Sequence, residues 1–158
     1  MAEAGGTITD AAGDALRFNR RNVKLEGLVA EHSIWHSRSQ RGGYVPSEQE
    51  RAARPPAQHP LVRRHPGSGR TALFIASHAS HIVGWPHEEG RALLDELMEF
   101  ATQPRFVYVH KWRVGDLVIW DNRCTLHRAS PFASNEHKRE LHRTTIIDTR
   151  GVSAVGLR

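Results

Sequence analysis

The sequence predicts a mainly β domain decorated with helices, with the strands arranged as an antiparallel barrel or jelly roll. Three segments of the last third predict the sheet: "RFVYVHKW" (105–112), "GDLVIWDN" (115–122) and "RELHRTTIID" (139–148). In the first of them, Phe106, Tyr108, His110 and Trp112 alternate with Val107, Val109 and Lys111. A period of two is typical of a strand. Short turns between these segments and helical spacing earlier in the chain complete the prediction.

Two helices and one strand are predicted in the earlier part. Leu25, Leu28, Val29 and His32 have helical spacing, which predicts a short cover helix around Lys24 to His32. "TALFIAS" (71–77) is a short apolar run entered through a glycine-containing turn and predicts a strand. Pro86 opens a second helix, whose apolar stripe is typical of core packing and consists of Leu93, Leu94, Leu97 and Met98.

The chain is predicted to form a single domain, residues 1–158, because no composition shift marks a second one. Residues 41–70 are rich in Gly, Pro and Arg, which predicts a lid or long surface loop, with one helical turn opened by "PSEQE" at residues 46–50. An ordinary exposed loop is the alternative. Within this stretch "HPGSGR" (65–70) lacks the spacing of a phosphate-binding loop and indicates a turn.

Composition limits the compartment and the partners. A chain of 158 residues with 39% hydrophobic residues can bury a core, and no apolar run could span a bilayer. Without a secretory leader, and with Cys124 unable to form an internal disulfide, we expect a cytoplasmic protein in which this thiol is buried and inert. The net charge is +5, but Lys and Arg are scattered, so we expect neither nucleic-acid nor membrane binding.

Two arginines mark the predicted last strand. Arg139 and Arg143 would share one face, roughly 13 Å apart at about 3.3 Å per residue. A guanidinium suits a carboxylate or sulfonate, so each arginine could hold a different anion. An edge strand with its charges in water fits the same pattern.

His127 follows "WDNR" and could point into the mouth of the same barrel. On spacing alone, a histidine after a strand is more often a packed or surface residue than a metal ligand. The residues themselves leave both alternatives open.

The motif "W-x-x-GDLVIWDNR-x-x-x-HRA", followed by "R-x-x-x-RTT", resembles the C-terminal signature of the TauD/TfdA family of iron(II)- and 2-oxoglutarate-dependent dioxygenases. The resemblance implies that His127 is the distal iron ligand, that Arg139 binds the far carboxylate of 2-oxoglutarate and that Arg143 binds an acidic group of the substrate. "GGT" (5–7) resembles the point where a family threonine, here Thr7, contacts 2-oxoglutarate.

The resemblance also implies a partial double-stranded β-helix of the clavaminate synthase-like type. It implies hydroxylation of a small carboxylate or sulfonate with oxygen, 2-oxoglutarate and iron(II), giving succinate and carbon dioxide. The family's other two iron ligands form a His-x-Asp pair shortly before the segment that matches "GGT", so we expect an N-terminally truncated chain that is inactive alone. A non-catalytic anion-binding or assembly module, with a possible homo-oligomer, is the alternative.

Other histidines fit an iron site less well. His36 follows a tryptophan, as the family's first ligand often does, but Arg38 stands where a carboxylate is required. "HSIWH" (32–36) also lacks the glutamate of a zinc-protease motif. We therefore expect these histidines, and His78 and His81 of "HASH", to be structural.

Overall fold

The described part of the protein, residues 23–136 and 138–146 of a computed structural model, contains two small antiparallel sheets. The first sheet has the order β2-β1-β5, formed by β1 (Val29–His32), β2 (Ala57–Pro60) and β5 (Ala79–Ile82). The second pairs β3 (Val62–Arg64) with β4 (Thr71–Leu73). The helices are α1 (Ile34–Gly42), α2 (Glu48–Ala53) and α3 (His87–Ala101), followed by a 3-10 turn at Pro104–Phe106.

The helix predicted around Lys24 to His32 is wrong, because this segment turns and then enters β1. Gly27 has φ of 87°, in the left-handed region that interrupts a right-handed helix. β1 then pairs with both β2 and β5 and lies at the centre of its sheet. Ser33 ends this strand and begins α1, since its hydroxyl oxygen accepts a hydrogen bond from the Trp35 backbone N–H at 3.3 Å.

The helix predicted to open at Pro86 is confirmed as α3. Its stripe supplies Leu93, Leu94 and Leu97 to the core, and Met98 packs against that core. The helix lies on β5, where Gly90 approaches the Ile82 backbone closely. The core around this contact is formed by Leu25, Ala30, Leu61, Val62, Ile75, Ala79, Ile82, Leu93, Leu94 and Leu97.

Residues 41–70 are more ordered than a single long loop. The helical turn after Pro46 is confirmed as α2, and Ser47 and Glu50 form a reciprocal capping box at its start. The rest of the stretch contains β2 and β3, where no strand was predicted. "HPGSGR" is a turn between β3 and β4, and the strand predicted in "TALFIAS" is confirmed over Thr71–Leu73.

The three strands predicted in the last third are wrong for the residues that the structure describes. Residues 107–136 and 138–146 contain turns but neither helix nor strand. Their alternating apolar side chains are exposed, for example Tyr108 (84%), Leu117 (84%) and Ile119 (85%). The described residues therefore form two small sheets with helices and not a closed jelly roll.

Two further expectations are tested by the structure. Cys124 is exposed, so the prediction of a buried thiol is wrong. Among the described residues, no helix is both long and apolar enough to cross a membrane.

Candidate functional site

Three of the four residues predicted to form the site lie on the exposed C-terminal segment. The His127 ring makes a tilted contact with Trp120, with the ring centroids 4.6 Å apart, and the Arg139 guanidinium lies 5.9 Å from the centroid of Phe132. Arg143 is exposed, and Thr7 lies outside the described residues. In the described part of the chain, no hydrogen bond, ion pair or ring contact joins any two of these site residues.

The described residues do not by themselves fit an iron site. A 2-oxoglutarate dioxygenase holds iron(II) with two histidines and one carboxylate. Within residues 23–136 and 138–146, the one group of three or more possible metal ligands is formed by His65, Asp121 and Cys124. His127 is not part of this group. His-x-Asp occurs nowhere in the 158 residues. His127 thus belongs to no group of three possible metal ligands within the described structure.

Sequence reasoning missed the network around Asp121, which follows the strand-like segment containing Trp120. Asp121 Oδ2 accepts a hydrogen bond from His65 Nε2 at 3.0 Å and a second from Arg123 Nη2 at 2.5 Å. The side-chain hydrogen bonds from Arg123, and then that from His65, hold the pKa of Asp121 well below its usual range. The only sequence signal was the Asp-x-Arg spacing within "WDNR".

The proton arrangement at His65 argues against a metal in this network. The Ser68 backbone N–H donates to His65 Nδ1 at 3.1 Å, so the proton of the neutral ring lies on Nε2 and points to Asp121. A cation at Nε2 would displace that proton and compete with the Arg123 fork. The trio is a structural tie between positions 56 residues apart.

Cys124 belongs to the same turn. Its Sγ lies 3.9 Å from the Asp121 carbonyl oxygen, which can accept a weak hydrogen bond from the thiol. Although the residue is exposed overall, partial burial of the sulfur and the nearby Asp121 carboxylate raise the pKa of the thiol. This environment favours the protonated and less reactive form.

A second cluster of basic and aromatic side chains joins the two sheets. The rings of His32, His59 and Phe74 lie 5.3 to 5.4 Å apart, centroid to centroid. The Arg63 guanidinium stacks over Phe74, with its carbon 3.5 Å from the ring centroid. Burial lowers the pKa of His32 to about 4. A histidine and an arginine inside the apolar stretch around "HPLVRR" (59–64) were the signal that sequence reasoning passed over.

A mostly apolar cleft of about 430 Å³ lies between α1 and α2. Trp35 and Tyr44 stack along it at 6.2 Å, and the Trp35 indole N–H donates to the Arg54 carbonyl at 3.1 Å. The Tyr44 hydroxyl donates to Glu50 Oε1 at 2.6 Å and so ties the cleft to the α2 cap. The cleft is open, and its aromatic wall could accept a flat apolar group.

Comparison with known proteins identifies the family. The model of the "Taurine catabolism dioxygenase TauD, TfdA family" matches residues 11–145. The chain is 55% identical over 127 residues to the alpha-ketoglutarate-dependent 2,4-dichlorophenoxyacetate dioxygenase of Burkholderia sp. (strain RASC), covering 80% of this chain and 42% of that protein. It is 54% identical over 138 residues to the enzyme of the same name from Cupriavidus pinatubonensis, covering 87% of this chain and 47% of that protein.

A solved structure gives the same result. The structure of AAD-2 in complex with Mn(II) and N-oxalylglycine superimposes with a TM-score of 0.61 at 47% identity, over 63% of this chain and 40% of that one. The chain thus spans a little under half the length of the curated relatives it matches. On the family match over residues 11–145 and these identities, the chain belongs to the TauD/TfdA family of dioxygenases.

Proposed function

We propose that this chain forms the central and C-terminal part of the active domain of a 2-oxoglutarate-dependent dioxygenase that hydroxylates a small aryloxy carboxylic acid. The observation that carries the proposal is the identity of 54–55% to two 2,4-dichlorophenoxyacetate dioxygenases. A third relative, the (S)-phenoxypropionate/alpha-ketoglutarate-dioxygenase of Sphingobium herbicidovorans, is 37% identical over 138 residues. All three names describe acids that carry an aryloxy group, which is the substrate class proposed for this chain.

The proposed roles follow the family signature in this sequence. His127 supplies one imidazole to iron(II), and Arg139 pairs with the far carboxylate of 2-oxoglutarate through its guanidinium fork. Arg143 pairs with the carboxylate of the aryloxy acid, and Thr7 contacts 2-oxoglutarate. Exposure of all three described side chains supports the proposal, because each is free to meet a ligand or a further part of the domain.

Iron(II) in such a domain supplies the activation of oxygen, and its remaining ligands have to come from outside the described residues. The rest of the family domain supplies them in this proposal, either continuous with these residues or on a separate polypeptide. The exposed apolar residues of 107–136 support it, since alternating side chains without a partner sheet are suited to pairing with further strands.

An anaerobic titration with iron(II) and 2-oxoglutarate tests this proposal. We expect no visible charge-transfer absorption from the 158-residue chain alone. The band should appear after mixing with a polypeptide corresponding to the N-terminal part of the Cupriavidus relative. His127→Ala should abolish the band in the mixture, whereas His142→Ala, a change at another exposed histidine of the same segment, should preserve it. A mixture that stays colourless, or a band unaffected by His127→Ala, would contradict the proposed role.

A non-catalytic anion-binding module is the second candidate, favoured because His127 belongs to no group of three possible metal ligands in the described structure. It predicts that 2-oxoglutarate binds to the chain without metal and that binding is lost in Arg139→Gln. Calorimetric titration of the isolated chain with 2-oxoglutarate separates the two. Binding without iron(II) supports the module, and binding that requires both metal and the complementing polypeptide supports the enzyme.

A further inference from the structure

Among the described residues, the buried cation Arg63 on β3 has no carboxylate partner. Its residue is 8% exposed, and among the described residues no ion pair or hydrogen bond reaches its guanidinium. The stacking contact with Phe74 stabilises one face of the group and satisfies none of its five N–H donors. Burying a charge without a counter-charge is costly, so this arrangement requires compensation.

Two polar side chains in this region lack hydrogen-bond partners among the described residues, those of His32 and Arg63. His32 Nε2 is the one fully buried polar side-chain atom without a partner in the described part of the chain. The face of the Arg63 guanidinium is covered by Phe74, and no hydrogen bond within the described residues occupies its N–H edge.

The groups around Arg63 favour an anion over a cation. His59 and His32 flank Phe74 at 5.4 and 5.3 Å, and electrostatic repulsion between Arg63 and both imidazoles indicates that the three lie close together. His78 adds a further basic group near His32. No carboxylate contributes to the electrostatics of Arg63, His32 or His59 among the described residues. A metal ion would be repelled by a guanidinium that stays protonated.

We propose that Arg63, His32 and His59 form a binding site for a small carboxylate, with the Arg63 guanidinium edge as its main contact. One carboxylate supplies the missing counter-charge and accepts the paired N–H groups of the fork. An imidazole N–H of His32 or His59 completes the contact, and Phe74 provides an apolar wall for the body of the acid. These residues differ from Arg139 and Arg143, so the proposal stands whether or not the proposed dioxygenase function holds.

Thermal unfolding of the 158-residue chain tests the site, with sodium acetate and sodium phenoxyacetate as probes and sodium chloride keeping the ionic strength constant. A ligand that binds the folded state alone should raise the midpoint saturably, by about 5 to 10 °C at 100 times its dissociation constant. Arg63→Gln should remove this rise. The matched control is Arg64→Gln, which changes the exposed neighbour whose guanidinium binds the Gly69 carbonyl, and it should keep the rise.

A second measurement locates the bound ligand, and a second variant keeps the test valid if Arg63→Gln does not fold. The imidazole C–H resonances of His32 and His59 should shift with the same saturation curve as the midpoint. If Arg63→Gln does not fold, Arg63→Lys takes its place in the test. A lysine keeps the positive charge but lacks the forked N–H groups of the guanidinium, so this variant should bind the carboxylate at least about tenfold more weakly. The site is refuted by an absent or non-saturable response, by equal responses of the parent and Arg63→Lys, or by an equal response when chloride replaces the carboxylate.

Discussion

At the scale of single residues, two titratable groups have opposite surroundings. Folding buries the His32 side chain without supplying a hydrogen-bond partner for Nε2, so the charged form of the imidazole is disfavoured. Asp121 stays accessible and gains donors from Arg123 and His65, so its charged form is favoured. Each group makes stability depend on pH, and both lower it toward acid.

Replacing His32 by phenylalanine should reduce the pH dependence of unfolding. The pKa of His32 is about 4 when folded and 6.5 in the unfolded chain, so the unfolded state binds its proton first. Stability is thus full above pH 6.5 and falls as the pH drops toward 4, by up to about 3 kcal/mol. Urea unfolding across this range should show a flatter profile for His32→Phe. His87→Phe, at an exposed histidine, should keep the parental slope, and a parental slope in His32→Phe would contradict the assignment.

Asp121→Asn should weaken the tie between the turn after Trp120 and the β3–β4 connection. Because the folded pKa is depressed, the stabilisation is present above the ordinary pKa of 3.8 and is lost as the pH falls through the lower folded value. At neutral pH we expect a loss of about 1 kcal/mol, since the site is partly exposed. Urea unfolding measures it, with Asp95→Asn as the control, because that carboxylate forms an exposed i,i+4 pair with Arg91. Equal losses in the two variants would show that the long-range tie adds nothing.

At the scale of elements, the contact between α3 and β5 depends on the absence of a side chain at Gly90. A Cβ at this position would lie 2.8 Å from the Ile82 backbone nitrogen, which cannot move without disturbing β5. The close approach of α3 to β5 brings Leu93, Leu94 and Leu97 into the core beside Ile82. Packing therefore outweighs the poor helix propensity of glycine.

Gly90→Ala should destabilise the protein by about 1 to 3 kcal/mol, although alanine favours a helix by about 1 kcal/mol over glycine. The reverse exchange on the exposed face, Ala92→Gly, is the matched control and should cost about 1 kcal/mol through propensity alone. Chemical denaturation of the three proteins gives both values. A Gly90→Ala protein more stable than the parent would show that α3 and β5 can separate without cost.

The elements that could be predicted are those whose signal is local. α3 has an apolar stripe of period 3.6, and α2 begins with a capping box, so both are recognisable within one segment. β1 was predicted as a helix because Leu25, Leu28 and Val29 also satisfy helical spacing. Its strand state depends on Gly27 and on pairing with β5, about 50 residues away, and no local window contains that partner.

The predicted C-terminal strands also show that a local sequence pattern does not reveal whether a pairing partner is present. Alternation in "RFVYVHKW" establishes that a segment could cover one face of a sheet, but a strand also needs a neighbouring backbone. The described residues provide none for this segment. The motif around His127 predicted the family correctly, whereas the roles of His127, Arg139 and Arg143 stay predictions because their ligands and partners are not among the described residues.

At the scale of the whole molecule, the regular secondary structure of the described residues is concentrated in residues 25–106. Both sheets, the three helices and the core cluster of the described part lie in this range. Beyond it, the tie of Asp121 to His65 is one of few links back to the sheets, and Val107, Val109, Val114 and Ile146 are exposed. Exposed apolar surface of this extent is typical of an interaction site.

Limited trypsin digestion should therefore cut within residues 107–136 before it cuts the sheets and helices of residues 25–106. Proteolysis requires accessible backbone, and residues 107–136 have no ladder or helix hydrogen bonds to break first. We expect early cleavage after Lys111, Arg113 and Arg128, and late cleavage after Arg63 and Arg91, as followed by mass spectrometry. Asp121→Asn should speed cleavage after Arg128 while leaving Arg91 protected, because it weakens the contacts of Asp121 with His65 and Arg123 and changes nothing in α3. Cleavage at Arg63 or Arg91 as early as at Lys111 would refute this division, since it would show that the sheets and α3 open as readily as the segment beyond them.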